Sequence, residues 1–128
     1  MSDNERTVVV LTSGRQDRGT RATLAFGWAC AAQAMGKDVI MYLTMDGTVW
    51  AMKGAAEGVQ VPGFEPLANY LEQFFDFEGK MLVCAPCTEY YCSLDFMGEN
   101  DRLLDGAEIV GLATIVGQVE PGTTVVTF

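Results

Sequence analysis

The sequence predicts an α/β protein: a three-layer α/β/α sandwich on a mostly parallel five-stranded sheet. Runs of β-branched and large apolar residues recur along the chain and read as buried strands. Stretches with helical spacing and start or stop residues fall between them. Strands alternating with helices imply parallel pairing, right-handed crossovers and helices on both faces of the sheet.

The elements follow in order. TVVVLTS (Thr7 to Ser13) is a continuous β-branched run, the pattern of a strand covered on both faces. GRQDRG is a loop, and TRATLAFGWACAAQAM predicts a helix starting near Thr20 and stopped by Gly36. Leu24, Trp28, Ala31 and Met35 form its expected sheet-facing stripe. DVIMYLT (Asp38 to Thr44) is a second strand. The glycine-rich DGTVWAMKGAAEGVQVPGF is irregular, with one short helix expected around Val49 to Lys53. EPLANYLEQFFDF reads as a helix with proline near its first turn. KMLVC is a third strand, and TEYYCSLDFMG a helix ended by Gly98. AEIVGLATIVG joins a strand to a short helix, and TTVVTF closes the sheet.

At 128 residues, with 49% hydrophobic and 20% charged, the chain fits one domain, residues 1–128, with a core of its own. No repeat or linker-like composition break divides it. The start MSDNERTVVV lacks the basic and apolar regions of a signal peptide, and TLAFGWACAAQAMG is too short to span a bilayer. A cytoplasmic location is therefore expected. Seventeen acidic against 8 basic residues give a net charge of −9, which disfavours nucleic acid and membranes and favours a basic protein partner. The chain has no histidine, which removes imidazole acid–base chemistry, Cys-His pairs and histidine metal ligands.

Three of the 4 cysteines lie in KMLVCAPCTEYYC. In a reducing compartment such thiols are catalytic, metal-binding or buried rather than disulfide-bonded. Cys84 stands where the third strand leaves the sheet, the end at which ligands gather in parallel sheets. Ala85 precedes a proline and is expected extended, and Pro86 suits the first helical position. The free amides of Cys87 and Thr88 would then face Cys84 and favour its thiolate. Cys87 completes a C-x-x-C motif and is a candidate helper to Cys84 as resolving or sulfur-accepting thiol. Cys92 is rotated about 140° from Cys87 on a regular helix. That divergence, and the want of a fourth ligand, count against a metal centre. Cys30, among alanines in a helix, reads as a small hydrophobe.

The loop TSGRQDRGTRAT places Gly14 and Gly19 at phosphate-loop spacing, but Thr20-Arg21 stand where Lys-Ser/Thr belong. Nucleotide hydrolysis is therefore not expected. Gly14, Arg18, Gly19 and Thr20, with Arg15 and Arg21 nearby, remain a weak small-anion site, set against a plain solvated loop. Tyr90, Tyr91, Trp28 and Trp50 read as core or interface residues, as do Phe74, Phe75 and Phe96.

In order and spacing, VVVLTSGRQDRGTRATLAF, VIMYLTMDGTVWAMKG, KMLVCAPC and LLDGAEIVGLATIV with the closing VVTF make the chain resemble the DsrE/DsrF/TusD-like family of sulfur-relay proteins. The resemblance spans nearly the whole sequence. It implies a three-layer α/β fold, assembly into a homo-oligomer (trimer or hexamer), and sulfur carried as a cysteine persulfide. It implies exchange with partners such as a TusA-like sulfur carrier or a rhodanese-type protein. No cofactor is expected. The family's acceptor cysteine follows this same strand, so that role carries over to Cys84. Many relatives with a C-x-x-C continue into an Ala-Arg-Gly-like segment, where this chain reads TEYYCSL.

Persulfide transfer needs an accessible thiolate of low pKa and no general base, which suits a chain without histidine. The sequence thus predicts a sulfur carrier acting through Cys84. Two other readings stay open: a thiol–disulfide redox or sensor protein using Cys84 and Cys87, and a non-catalytic subunit of a hetero-oligomer.

Overall fold

A computed structural model of the chain describes residues 5–92 and 102–128. Strand β1 (Arg6–Leu11) leads through a short 3-10 turn (Arg15–Asp17) into helix α1 (Thr20–Ala34). Strand β2 (Asp38–Leu43) is followed by a 3-10 segment (Met45–Ala51) and helix α2 (Leu67–Asp76). Strand β3 (Lys80–Cys84) runs into helix α3 (Ala85–Cys92), and β4 (Ala107–Val110), α4 (Leu112–Gln118) and β5 (Thr124–Thr127) complete the fold. The expected end of α3 at Gly98 lies outside the described residues, as does Phe96.

The five strands form one sheet in the order β4-β3-β2-β1-β5, every neighbouring pair parallel. Steps from β1 to β4 all run one way across the sheet, and α1 and α2 pack on one face. The return from β4 to β5 runs the other way, so a right-handed crossover puts α4 on the opposite face. Ile115 of α4 packs there against Val8, Ile40, Leu82 and Val110. Three layers result.

The larger core fills the first face. Val9, Leu11, Met41, Leu43, Met81 and Val83 meet Ala22, Ala25, Phe26 and Ala29 of α1 and Leu67, Leu71 and Phe74 of α2. Phe26 and Phe74 meet edge to face, ring centroids 5.7 Å apart. Trp50 and Phe74 are core residues, and Phe75 packs against them.

Helix α1 corrects one expectation. The stripe Leu24, Trp28, Ala31 and Met35 faces outward, with Met35 78% exposed. A second apolar stripe, Ala22, Ala25, Phe26, Ala29 and Cys30, carries the packing instead. Both have helical spacing, and the second lets the helix axis approach the sheet because its residues are mostly small. The stop at Gly36 is as expected. Its φ of 87° is left-handed, Lys37 N–H donates to Ala32 O at 3.1 Å and Gly36 N–H to Gln33 O at 2.9 Å.

Helical structure after β2 also differs from expectation, starting at Met45 rather than Val49. Gly47 permits it, since a Cβ there would lie 2.2 Å from Leu11 O. Among the described residues, no helix is long and apolar enough to cross a membrane.

A cysteine that caps a helix at the end of the third strand

Strand β3 ends at Cys84 and α3 begins at Ala85, with no loop between them. Ala85 is therefore already helical rather than extended, and Pro86 takes the second helical position instead of the first. Cys84 becomes the residue that caps the helix. Pro86 has no amide hydrogen, so the Cys87 amide is the next donor at this helix start. It favours the Cys84 anion, as a donor at a helix start does. Thr88 Oγ1 donates to Cys84 O at 2.7 Å and fixes the junction from the other side.

Neighbouring strand β2 supplies further donors. Leu43 pairs with Val83, so one more step along the two strands sets Thr44 beside Cys84. Tyr42, paired with Leu82, lies diagonally behind on the same face of the sheet. The hydroxyls of both residues, with the Cys87 thiol, favour the Cys84 anion. Thr44 Oγ1 also lies 3.4 Å from Cys87 Sγ.

These contacts set the charge of the thiol. Cys84 is 4% exposed rather than accessible as expected, because it packs among Val8, Ile40, Tyr42, Leu82 and Val110, and that burial opposes its ionisation. The Cys87 thiol and amide and the Tyr42 and Thr44 hydroxyls outweigh that cost and hold Cys84 below its ordinary 9.0. Tyr42 moves the other way, pushed up to about 12 by burial and then by its bond to Cys84. Cys30 is pushed up to about 11 by burial and then by the Glu65 carboxylate. It lies in the core on the other face of the sheet, its Sγ 3.4 Å from Tyr70 O.

The structure thus brings Cys84 and Cys87 together and keeps Cys30 apart. The side chains of Cys92, Tyr90 and Tyr91 lie outside the described residues. Among those described, no three acidic or cysteine side chains gather as a metal ion would require. Beside the first residue of α3 opens a cleft of about 650 Å³, bordered by Ala85, Leu103, Asp105, Glu108, Val110 and Gly111.

Gly14, Arg18, Gly19 and Thr20 lie at the same carboxyl end of the sheet, after β1. The chain's own Asp17 carboxylate occupies the helix start there. Its oxygens accept from Gly19 N–H at 3.1 Å and Arg21 N–H at 3.0 Å, and pair with Arg21 Nη1 at 3.3 Å. Gly14 N–H is taken by Gln16 Oε1 at 2.8 Å, and Thr20 Oγ1 by Asp17 O at 2.7 Å. Arg15 turns away, over the Trp50 ring and onto Ala55 O at 3.1 Å.

Sequence reasoning missed Tyr42 and Thr44. Their signal is slight: two hydroxyl residues at alternate positions closing a strand, YLT, next in sequence to the strand that ends in Cys84.

Compared with known families, residues 6–128 match the model of the DsrE/DsrF-like family. The chain belongs to that family. Its members are generally connected with sulfur relay. Solved structures share the fold. The YchN protein from E. coli matches at 20% identity and TM-score 0.71, over 97% of this chain and 99% of its own. MTH1491 from Methanobacterium thermoautotrophicum, a protein of unknown function, matches at 13% identity and TM-score 0.71, over 98% and 100%. BT1422 from Bacteroides thetaiotaomicron, a conserved protein of unknown function, matches at 11% identity and TM-score 0.59, over 95% and 94%. No curated protein matches the sequence.

Proposed function

We propose that this DsrE/DsrF-like protein is a cytoplasmic sulfur carrier holding sulfane sulfur as a persulfide on Cys84. One observation carries the reading: Cys84 stands at the start of α3, buried in one cluster with Tyr42 of β2, and its neighbours favour its anion. In loading, the Cys84 thiolate attacks the outer sulfur of a donor persulfide. A sulfur–sulfur bond forms to Cys84, the donor's bond breaks, and the donor leaves as a thiolate. In unloading, a partner's thiolate attacks the outer sulfur of Cys84, which departs as the stabilised thiolate. A capped, hydrogen-bonded sulfur serves both steps, as nucleophile and as leaving group.

The partners this implies are a TusA-like carrier or a rhodanese-type protein. A net charge of −9 favours a basic docking surface on them. A homo-oligomer, trimer or hexamer, fits the family and gives the outward apolar side chains Leu24, Trp28 and Met35 of α1 a place to be covered.

One contact favours a second reading. Cys87 packs against the cluster that holds Cys84, and both are free thiols, so the pair lies close together. Attack of Cys87 on the inner sulfur of a Cys84 persulfide would release sulfide, the sulfane atom taking up the electrons the two thiols lose. Polysulfide treatment of the reduced protein, read by intact mass, separates the two readings. Whole sulfur atoms gained by wild type and Cys87→Ser but not by Cys84→Ser support the carrier. Loss of two hydrogens with no sulfur gained overturns it in favour of the redox reading.

A further inference from the structure

We infer that Tyr42 is the hydrogen-bond donor that keeps the Cys84 sulfur anionic on an otherwise apolar face of the sheet. The inference rests on the reading of Cys84 as the working thiolate and adds the residue that sets its charge.

The placement follows from register. Tyr42 pairs with Leu82, two residues before Cys84 on the adjacent parallel strand, so both side chains leave the sheet on one face. That face is lined by Val8, Ile40, Leu82 and Val110, with Val10 and Ile115 packed against it. Tyr42 is 7% exposed there. A thiolate in such surroundings loses water and needs a fixed donor in its place. A phenol supplies one at the end of a rigid ring with few rotamers, at little entropic cost. Burial, and then Cys84, push its own pKa up to about 12 while Cys84 is held below 9.0, so Tyr42 keeps its proton as the thiol ionises. It donates throughout and never competes as the acid.

The other groups facing Cys84 divide the remaining work. Thr44 of β2 has one hydroxyl hydrogen to share among Cys84, Cys87 and the Tyr42 oxygen. Cys87 of α3 gives its amide and thiol. On β4 the carboxylate facing the same way is Glu108, paired with Leu82. Lys80 lies at the opposite end of β3. Of the two β2 hydroxyls, that of Thr44 is engaged by the second sulfur, Cys87 Sγ, at 3.4 Å.

The test is the pH dependence of Cys84 alkylation by iodoacetamide, located by peptide mass, in wild type, Tyr42→Phe and a variant with fluorinated tyrosine at position 42. Phenylalanine keeps the ring and removes the donor. A charge-assisted hydrogen bond is worth about 1.5–3 kcal/mol, so the Tyr42→Phe midpoint should rise by about one to two pH units. Fluorination makes the phenol a stronger donor and should lower the midpoint, a shift that a packing role alone would not produce. Wild-type-like midpoints in both variants, with Cys84 still the fast-labelling thiol, would overturn the role of Tyr42 and leave the carrier reading intact. A wild type in which Cys84 labels no faster than in the unfolded chain would overturn both. If Tyr42→Phe fails to fold, the fluorinated variant alone decides.

Discussion

Thr88 Oγ1 donates to Cys84 O at 2.7 Å, with both residues buried, and so ties the first turn of α3 to the end of β3. Thr88→Val keeps the shape and removes the donor. It should lower stability by about 1 kcal/mol, seen as a lower urea midpoint at unchanged slope. Cys84 labelling should slow as the cap loosens. An unchanged midpoint would mean that the helix amides alone hold this carbonyl.

Alkaline pH should destabilise the protein through Cys30. Its folded value, about 11, lies above the ordinary 9.0, so the unfolded chain gives up this proton first. The contribution is whole below the unfolded value and is lost as pH rises from 9.0 toward about 11. Cys84 has the opposite sign: its depressed value adds stability above the unfolded value, lost as pH falls through the folded one. Urea midpoints measured from neutral pH to about 11 should fall along the alkaline limb and fall less steeply in Cys30→Ala. Equal slopes in the two proteins would remove Cys30 as the cause.

A methyl group at Gly47 has nowhere to go. Its Cβ would lie 2.2 Å from Leu11 O and 2.9 Å from Leu11 C, both backbone atoms. Leu11 O is also the acceptor of Thr44 N–H at 3.1 Å, and Gly47 N–H bonds Thr44 O at 2.9 Å. Gly47→Ala should therefore cost about 1–3 kcal/mol and, by moving Thr44, change the Cys84 and Cys87 labelling rates as well. Loss of stability with unaltered labelling would show that Thr44 is held independently of this turn.

The two stripes of α1 should respond oppositely to substitution. Phe26 is fully buried against Phe74, and Phe26→Ala should cost about 3–5 kcal/mol. Met35 is exposed in the single chain, and Met35→Lys should change chain stability by no more than about 0.5 kcal/mol. Unfolding monitored at several protein concentrations checks both. A concentration-dependent loss in Met35→Lys alone would mark the outer stripe as an interface between copies.

The residues themselves determined the order of strands and helices, the parallel sheet and the place of Cys84. Each of these rests on local chemistry. Continuous β-branched runs favour strands, Gly36 can take the left-handed turn that ends α1, and Pro86 belongs in a first helical turn. Local pattern could not choose between two stripes on α1, because both repeat at helical spacing. Only packing against the sheet did, by preferring the alanines that let the helix come close. Nor could it say that Cys84 itself caps α3, since the rule for residues before proline points to a break at Ala85. Tyr42 and Thr44 lie some forty positions before Cys84, and nothing in their own neighbourhood signals a thiol. They meet the sulfur because β2 and β3 are adjacent and in one register, and register is a property of the assembled sheet.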